Sequence, residues 1–319
     1  MSDRLTLFDY LFLTRPVLFF PGWATFLAGY AAANGDVDLL SAFGRGELHF
    51  EWWNARIAAG LVIFSCAMGG SFVLNQLRDI HTDKKNNKLF LLGDGCISQR
   101  AGYIESFLLL GAALVGAIFF KASFFCMICA FIIVTGYLYN FAPFEFKNRP
   151  LWGLAANMAM GWLAFTLGWV VLRPVTLSLL LCSLPYLLFN SALYLLTTLP
   201  DMEGDRTSGK QTFPLQYGIH STIAFSLSLF ILTPIAALWQ RNEFMLVVFL
   251  LATPCMLRLA LRRDGASAIV AVKTGIASFA LLICLQFPLF FMLLAGTFFF
   301  TRFYYKNRFD FDYPNFKGQ

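Results

Sequence analysis

The sequence predicts an all-α integral membrane protein with nine transmembrane helices. Three observations carry this. Only 13% of the 319 residues are charged while 58% are hydrophobic, and the mean hydropathy is +0.66. Soluble domains carry about 25% charged residues, so a soluble core of this size could not be covered. The apolar residues fall into runs close to the roughly 20 residues that a helix needs to cross a bilayer. Strand-like alternation at barrel spacing is absent, which sets aside an outer-membrane barrel.

Taken in order, the first span runs near 16–34. The second, near 55–77, has Arg56 as its early charge and leads into the polar stretch NQLRDIHTDKKNNK at 75–88. The third and fourth, near 103–120 and 122–140, are parted by Lys121 and its neighbours, so the turn between them is tight. The fifth to eighth run near 152–171, 177–199, 221–239 and 244–261. The ninth, near 274–300, is long, and Pro288 should kink it, which a membrane tolerates when neighbours satisfy the freed carbonyl. Gly69, Gly70, Ser71, Gly111, Ala112 and Gly116 would let helices approach closely. Residues 1–300 then form a single transmembrane domain, followed by a polar C-terminal tail over 301–319. The start MSDRLTLFDYLFLTRP lacks a basic n-region, a continuous apolar h-region and a small-x-small cleavage site, so the first span is expected to double as an uncleaved signal.

Lys and Arg in short loops favour the cytoplasmic side. The loops after the second, fourth, sixth and eighth spans share a side with the N-terminus. They hold Arg78, Lys84, Lys85, Lys88, Arg100, Lys147, Arg149, Arg206, Lys210, Arg262 and Arg263. The opposite loops offer Arg45, Lys121, Arg173 and Arg241. The N-terminus and the basic loops, which include the acidic motifs, are therefore expected in the cytoplasm, with the inner or plasma membrane as the location if the source is bacterial. The tail, with Arg302, Lys306, Arg308 and Lys317, would then lie outside against the rule. A miscount of spans by one would show there.

Several function classes find no support. The basic residues sit between apolar spans rather than in a stripe with exposed aromatics, so no nucleic-acid surface is expected, and no protein partner is evident. The seven cysteines lie almost entirely inside apolar runs. Cys126 and Cys129 form a C-x-x-C, but within SFFCMICAFII, where packing suits them better than redox or zinc chemistry. His49, His81 and His220 show no metal-ligand spacing.

The chemistry concentrates in two polar loops on the basic side. Asn75, Asp79 and Asp83 are spaced i, i+4, i+8, which one continuing helix would place on one face. Asp201 and Asp205 repeat the i, i+4 spacing, with Glu203 between them. Carboxylates at membrane depth are costly and usually mark function. Two such pairs facing each other need a cation between them, and Mg²⁺ takes oxygen ligands, waters and substrate phosphates. Arg78, Lys84, Arg206 and Lys210 lie alongside. Carboxylates, metal and basic side chains make a cradle for a diphosphate, which leaves readily when its developing charge is neutralised. Solvated charges that only set topology would explain the lysines of 84–88 equally well, but not the repeated aspartate pairs. A cation-coupled transporter is the alternative from another class. It would place its acids near the midplane with unwound Gly/Pro segments, whereas these acids cluster at helix ends on one side.

These residues resemble the UbiA superfamily of intramembrane prenyltransferases over nearly the whole chain. The family's first motif, N-x-x-x-D-x-x-x-D after the second helix, is matched by Asn75, Asp79 and Asp83. Its second, D-x-x-x-D after the sixth helix, is matched in DMEGDRTSGKQTFPLQYG at 201–218, similar to quinone and tocopherol prenyltransferases. Arg15-Pro16 opens the first helix as in the family, and Tyr139, Pro143 and Lys147 fit its segment after the fourth. The chain departs from the pattern in three places. Gln76 stands where many members have Asp, 87–98 lacks an Arg-Pro pair, and Gly209 replaces a third aspartate as in some quinone-type members.

The resemblance implies nine helices around a central cavity, capped by the two acidic loops and open laterally to the lipid bilayer. It implies transfer of an isoprenyl group from a polyprenyl diphosphate to a small acceptor. The form of the second motif leans towards an aromatic ring of quinone or related lipid biosynthesis, with a non-aromatic acceptor as the alternative. Mg²⁺ is the implied cofactor, one ion on Asn75, Asp79 and Asp83 and the other on Asp201 and Asp205, the four aspartates being catalytic. Arg15, Lys147, Arg206 and Lys210 would contact the diphosphate, with Arg78 and Lys84 as further candidates. Tyr139 would lie near the reacting carbon or the diphosphate, or serve as an interfacial aromatic anchor. An allylic cation needs a dry pocket and gains from aromatic faces, which a chain with 37 Phe can supply.

Overall fold

The computed structural model describes residues 5–35, 54–85, 91–92, 96–207 and 209–314, apart from the side chains of 81–85. Among these residues there are helices and no strand. A short helix α1 (Leu7–Leu13) breaks at Arg15, which adopts a left-handed conformation at φ 54°. A 3-10 turn over Pro16–Phe19 then leads into α2 (Phe20–Asn34). The helices α3 (Ala55–Lys85), α4 (Gln99–Ile118) and α5 (Ala122–Ile132) follow. The last continues as a π-helical turn over Ile133–Leu138. Next come α6 (Pro150–Leu172) and α7 (Leu177–Thr197), then the short α8 (Met202–Thr207) and α9 (Phe213–Tyr217). The chain closes with α10 (Ile219–Trp239), α11 (Glu243–Arg262), α12 (Gly265–Gln286) and α13 (Pro288–Phe309).

Eight of these helical stretches are long and apolar enough to cross a membrane, and a shorter apolar helix covers Ala122–Leu138. The spans expected first to eighth are all present. The ninth, expected near 274–300, is two helices. Asp264 caps α12 by accepting from the Ser267 N–H at 2.7 Å, and the helix stops at Gln286. Pro288 does not kink a helix; it starts one. Proline lacks an N–H and suits the first turn, and it drives the residue before it out of the helical region. Phe287 accordingly sits at φ −120°, ψ 83°. The apolar run passes through Pro288 unbroken, so hydropathy alone merges the two helices.

The last helix runs back across the bundle. Phe287 meets Tyr30, at the end of α2 remote from α1, with ring centroids 6.2 Å apart. At the far end of α13, Tyr304 stacks on Phe12 of α1 at 3.9 Å. Its hydroxyl donates to the fully buried Asp9 carboxylate, which Arg308 also approaches at 3.3 Å. The C-terminal end of α13 therefore lies on the same face as α1. Residues 301–309, assigned from the sequence to the polar tail, are the last turns of this helix. The start of the basic tail therefore sits beside α1.

The inner faces of the helices carry large side chains such as Phe26, Phe64, Phe165, Trp169 and Phe189, all buried. The tightest contact is backbone on backbone between α2 and α6. A Cβ on Gly29 would stand 1.9 Å from the Phe165 carbonyl oxygen, and one on Gly168 would stand 1.8 Å from that of Phe26. Gly111, expected to serve such a contact, faces open space. Length also matters for function. The 31 residues of α3 rise about 46 Å at 1.5 Å each, against a hydrocarbon core about 30 Å thick. The helix is therefore longer than a crossing needs, and its last turns carry the first motif.

Candidate functional site

Along α3 every fourth residue from Ser71 meets a polar partner from the segment that follows α5. Ser71 and Thr135 share a hydroxyl–hydroxyl bond of 2.7 Å. One turn on, Asn75 Nδ2 donates to Asn140 Oδ1 at 2.8 Å and to Asp79 Oδ2 at 3.3 Å. One turn further, Lys147 Nζ lies 2.9 Å from Asp79 Oδ1. The helix continues through Lys85, so Asp83 takes the next place in the same register, as the spacing predicts. The side chains of Asp83 and Lys84 lie outside the described residues.

The π-helical turn makes this meeting possible. Its wider i→i−5 bonding is common at functional sites, and here the Tyr139 N–H bonds the Val134 carbonyl at 3.0 Å. The fully buried Asn140 carboxamide donates to the carbonyls of Thr135 at 2.8 Å and Gly136 at 3.3 Å. That leaves its oxygen turned to Asn75.

The second motif reaches the same place through a helix cap. In α8, the Asp205 N–H bonds the Asp201 carbonyl at 2.9 Å. The helix ends in paired bonds, Lys210 N–H to the Asp205 carbonyl at 3.1 Å and Gly209 N–H to that of Arg206 at 3.2 Å. This pattern needs a left-handed residue where Gly209 stands at φ +74°, a position that favours glycine. The cap folds Lys210 back so that its ammonium lies 3.8 Å from Asp205 Oδ1 and 3.6 Å from Asp79 Oδ1. Glycine at 209, noted as a departure from the family pattern, is what turns Lys210 towards both motifs.

Asp79 and Asp205 thus face one another across lysine ammoniums, and both are buried. Burial holds the Lys147 ammonium below the ordinary lysine value, while Asp79 pulls it back up and Lys210 and Arg78 push it down. Carboxylate and carboxamide oxygens from Asn75, Asp79 and Asp205 form a hard donor set that suits Mg²⁺. The two ammoniums show that these carboxylates take up positive charge here. No group of three or more His, Cys, Asp or Glu residues able to hold a metal occurs among the described residues.

Other sequence candidates fall into different places. Arg78 turns to the segment after α5, 3.3 Å from Glu145 and 5.3 Å above the Phe141 ring. Arg206 is exposed and Asp201 half-buried. Arg15 and Tyr139 line a cavity of about 420 Å³ beneath the carboxylates. Tyr194 and Asn157 line the same cavity. Its lining is mixed on both sides: α2 and α3 supply Phe64, Met68 and Phe72 beside Thr25, Ser71 and Asn75, and α6 and α7 supply Met160, Gly161 and Ala164 beside Asn157, Asn190 and Tyr194.

Asn140, Asn157, Asn190 and Tyr194 were not legible as site residues. Each is a lone polar residue in an apolar span, though an asparagine there is itself a signal. Gln76 also gains an explanation. It is buried, and its Nε2 donates to the Leu13 carbonyl at 2.7 Å, which pins the end of α1 beside Arg15.

Residues 23–268 match the family model described as the UbiA prenyltransferase family, and the chain belongs to that family. A relative, the 2-acyl-4-prenylphloroglucinol 6-prenyltransferase of Humulus lupulus chloroplasts, is 26% identical over 187 residues, 52% of this chain and 43% of that protein's length. Among solved structures, a UbiA homolog from Archaeoglobus fulgidus bound to GPP and Mg²⁺ has a TM-score of 0.65 at 23% identity, covering 90% of this chain and 99% of that one. A digeranylgeranylglyceryl phosphate synthase has a TM-score of 0.63 at 19% identity with the same coverages. At these identities the solved structures show the fold alone.

Proposed function

We propose that the protein transfers an isoprenyl group from a polyprenyl diphosphate to a small acceptor, with Mg²⁺, and releases pyrophosphate. The acceptor in this reading is an aromatic ring of quinone or related lipid biosynthesis. One observation carries it: Lys210 bridges Asp79 of α3 and Asp205 of α8 above the 420 Å³ cavity. That joins the two acidic motifs into one clamp, as diphosphate chemistry requires. The homolog solved with GPP and Mg²⁺ and the named aromatic prenyltransferase support the reading.

In this proposal Asp79, Asp83, Asp201 and Asp205, with Asn75, hold Mg²⁺. When bound, the metal supplies positive charge for the departing pyrophosphate. Lys147 and Lys210 serve the diphosphate from within the clamp, Arg15 from the cavity wall and Arg206 from the loop. Tyr139 and Tyr194 sit directly below, between the clamp and the cavity. The allylic C–O bond breaks with its electron pair on pyrophosphate, and a ring carbon of the acceptor supplies the pair for the new bond. Apolar lining residues such as Phe64, Met68 and Phe72 take the isoprenyl chain and keep water from the cation. The clamp, the N-terminus and the basic loops lie on the cytoplasmic side.

The test is labelled prenyl diphosphate with purified protein, Mg²⁺ and a panel of aromatic and non-aromatic acceptors. Transfer should require Mg²⁺, stop with chelator and be lost in Asp79→Ala. Normal pyrophosphate release by Asp79→Ala would sink the metal assignment, and transfer only to non-aromatic acceptors would sink the acceptor class.

A further inference from the structure

We infer that Asp9 and Tyr304 are positioning residues for Arg15: they lock α1 onto the last helix, hold the Arg15 guanidinium at the cavity, and so set how tightly the prenyl diphosphate binds. This rests on the prenyl-transfer reading above and adds the residues that place one of its cations. Arg15 itself stands in a disfavoured conformation. Its φ of 54° and ψ of 61° are left-handed, a region that a Cβ penalises and that glycine usually supplies where a helix ends. Among the described residues, Glu145, Arg241, Arg263 and Asp310 also pair a side chain with a positive φ, and of this group only Arg15 lines the cavity. A strained backbone persists only where its surroundings hold it, and it recurs at functional sites.

The hold comes from two sides. On one side α3 fixes the residues just before Arg15. Gln76 Nε2 donates to the Leu13 carbonyl at 2.7 Å, and a Cβ on Gly69 would stand 3.3 Å from Thr14 Cβ. On the other side stands α13. The fully buried Asp9 carboxylate accepts from the Thr6 N–H at 2.7 Å and from the Tyr304 hydroxyl, 295 residues away, with Arg308 at 3.3 Å. One turn nearer to Arg15, the Phe12 ring lies 3.9 Å from that of Tyr304 and 6.1 Å from that of Tyr305. Past Arg15, α13 packs on the Pro16–Phe19 turn as well. The Arg15 charge acts on the Tyr305 and Tyr313 hydroxyls, so the guanidinium that lines the cavity is also within reach of the end of α13.

Chemistry explains why the lock is effective. A buried carboxylate is costly unless donors meet it, and Tyr304 and Arg308 of α13 are among the donors of Asp9. Separating α1 from α13 would strand that carboxylate, so the two helices stay together. Without the Tyr304 hydroxyl that restraint weakens, α1 gains freedom, and Arg15 can relax out of the left-handed region. Its guanidinium then leaves the cavity. The loss falls on the diphosphate, which carries the charge that a guanidinium meets with paired N–H donors. Neither Asp9 nor Tyr304 lines the cavity, so their effect on binding passes through Arg15.

The experiment measures equilibrium binding of labelled geranyl diphosphate to purified full-length protein in detergent with Mg²⁺. Tyr304→Phe and Arg15→Gln should each weaken binding about tenfold, the scale of the strain released. The double variant should bind no worse than Arg15→Gln alone, because residues that act through one another are not additive. Asp9→Asn keeps an acceptor for Tyr304 and should bind more tightly than Asp9→Leu. Where Tyr304→Phe does not fold, Asp9→Asn with and without Arg15→Gln makes the same comparison. Losses that multiply to about a hundredfold in the double variant, or parental binding by Tyr304→Phe, overturn this inference alone. A parent protein that neither binds geranyl diphosphate nor releases pyrophosphate from it overturns the prenyl-transfer reading as well.

Discussion

Lys147 Nζ lies 2.9 Å from Asp79 Oδ1, and the two side chains are only 7% and 11% exposed. A buried charge left alone is expensive, so removing one partner of such a pair costs about 3–5 kcal/mol. Lys147→Met and Asp79→Asn should each lower the thermal unfolding temperature in detergent, and the double variant should recover part of the loss. Strictly additive losses would show that the pair is uncoupled. Arg78→Ala is the control: its pair with Glu145 is 41% and 34% exposed, and such pairs contribute about 0–1 kcal/mol.

The same pair makes a pH prediction. The folded protein binds the Lys147 proton less tightly than the unfolded chain, because burial outweighs the attraction of Asp79. Across the window from the folded value up to the ordinary lysine value, the unfolded state binds more protons, so stability rises with pH there. Asp79→Asn removes the attraction and should move the Lys147 titration lower still, opening the window at lower pH. NMR of dimethylated lysines reads this directly, and a titration indifferent to Asp79→Asn contradicts the arrangement.

Gly209 tests the cap that turns Lys210 inward. Nothing stands within 4 Å of a Cβ there, but φ is +74°, so Gly209→Ala meets backbone strain of about 1–2 kcal/mol rather than a clash. The cap should loosen and release Lys210 from Asp79 and Asp205, raising the KM for prenyl diphosphate. Gly209→Asn, which tolerates this conformation better, should lie between alanine and the parent.

Gly168 and Gly111 separate close approach from open surface. At Gly168 a methyl group would meet the Phe26 carbonyl oxygen, which cannot move without shifting α2. Gly168→Ala should destabilise by at least the roughly 1–3 kcal/mol typical of overpacking. Gly111→Ala has free space and should be neutral or stabilising, since alanine is the better helix former. Unfolding curves of the two variants should move in different directions.

Tyr304 closes the contact between the first and last helices. Tyr304→Phe keeps the stack on Phe12 but leaves the buried Asp9 short of a donor, a loss of about 1–3 kcal/mol. The end of α13 should become more accessible to limited proteolysis. Cleavage unchanged from the parent would mean that the Phe12 stack alone holds the helix.

Much of the site was readable because it is written in local register. Asn75, Asp79 and Asp83 are one turn apart in any helix, and α3 continues through all three. Lys147 and Lys210 carry charges that an apolar chain does not place idly, and both meet Asp79. Asn140 and Asn190 were not readable, because a single asparagine in a span has no period. Its meaning depends on the helix across from it. The split at Pro288 was hidden for a related reason: hydropathy measures how apolar a run is, and not which way it travels.

The sequence by itself determined the class, the helical spans up to the eighth, and the two acidic motifs, since composition and one-turn spacing are properties of the chain alone. Only the tertiary structure decided that Lys210 joins Asp79 to Asp205, that the last helix returns to Asp9, and that Asn140 meets Asn75. Those facts depend on which residues from distant spans face each other. Packing settles that through contacts such as Gly29 and Gly168 against carbonyls of the opposite helix, where only the absence of a side chain lets the backbones meet.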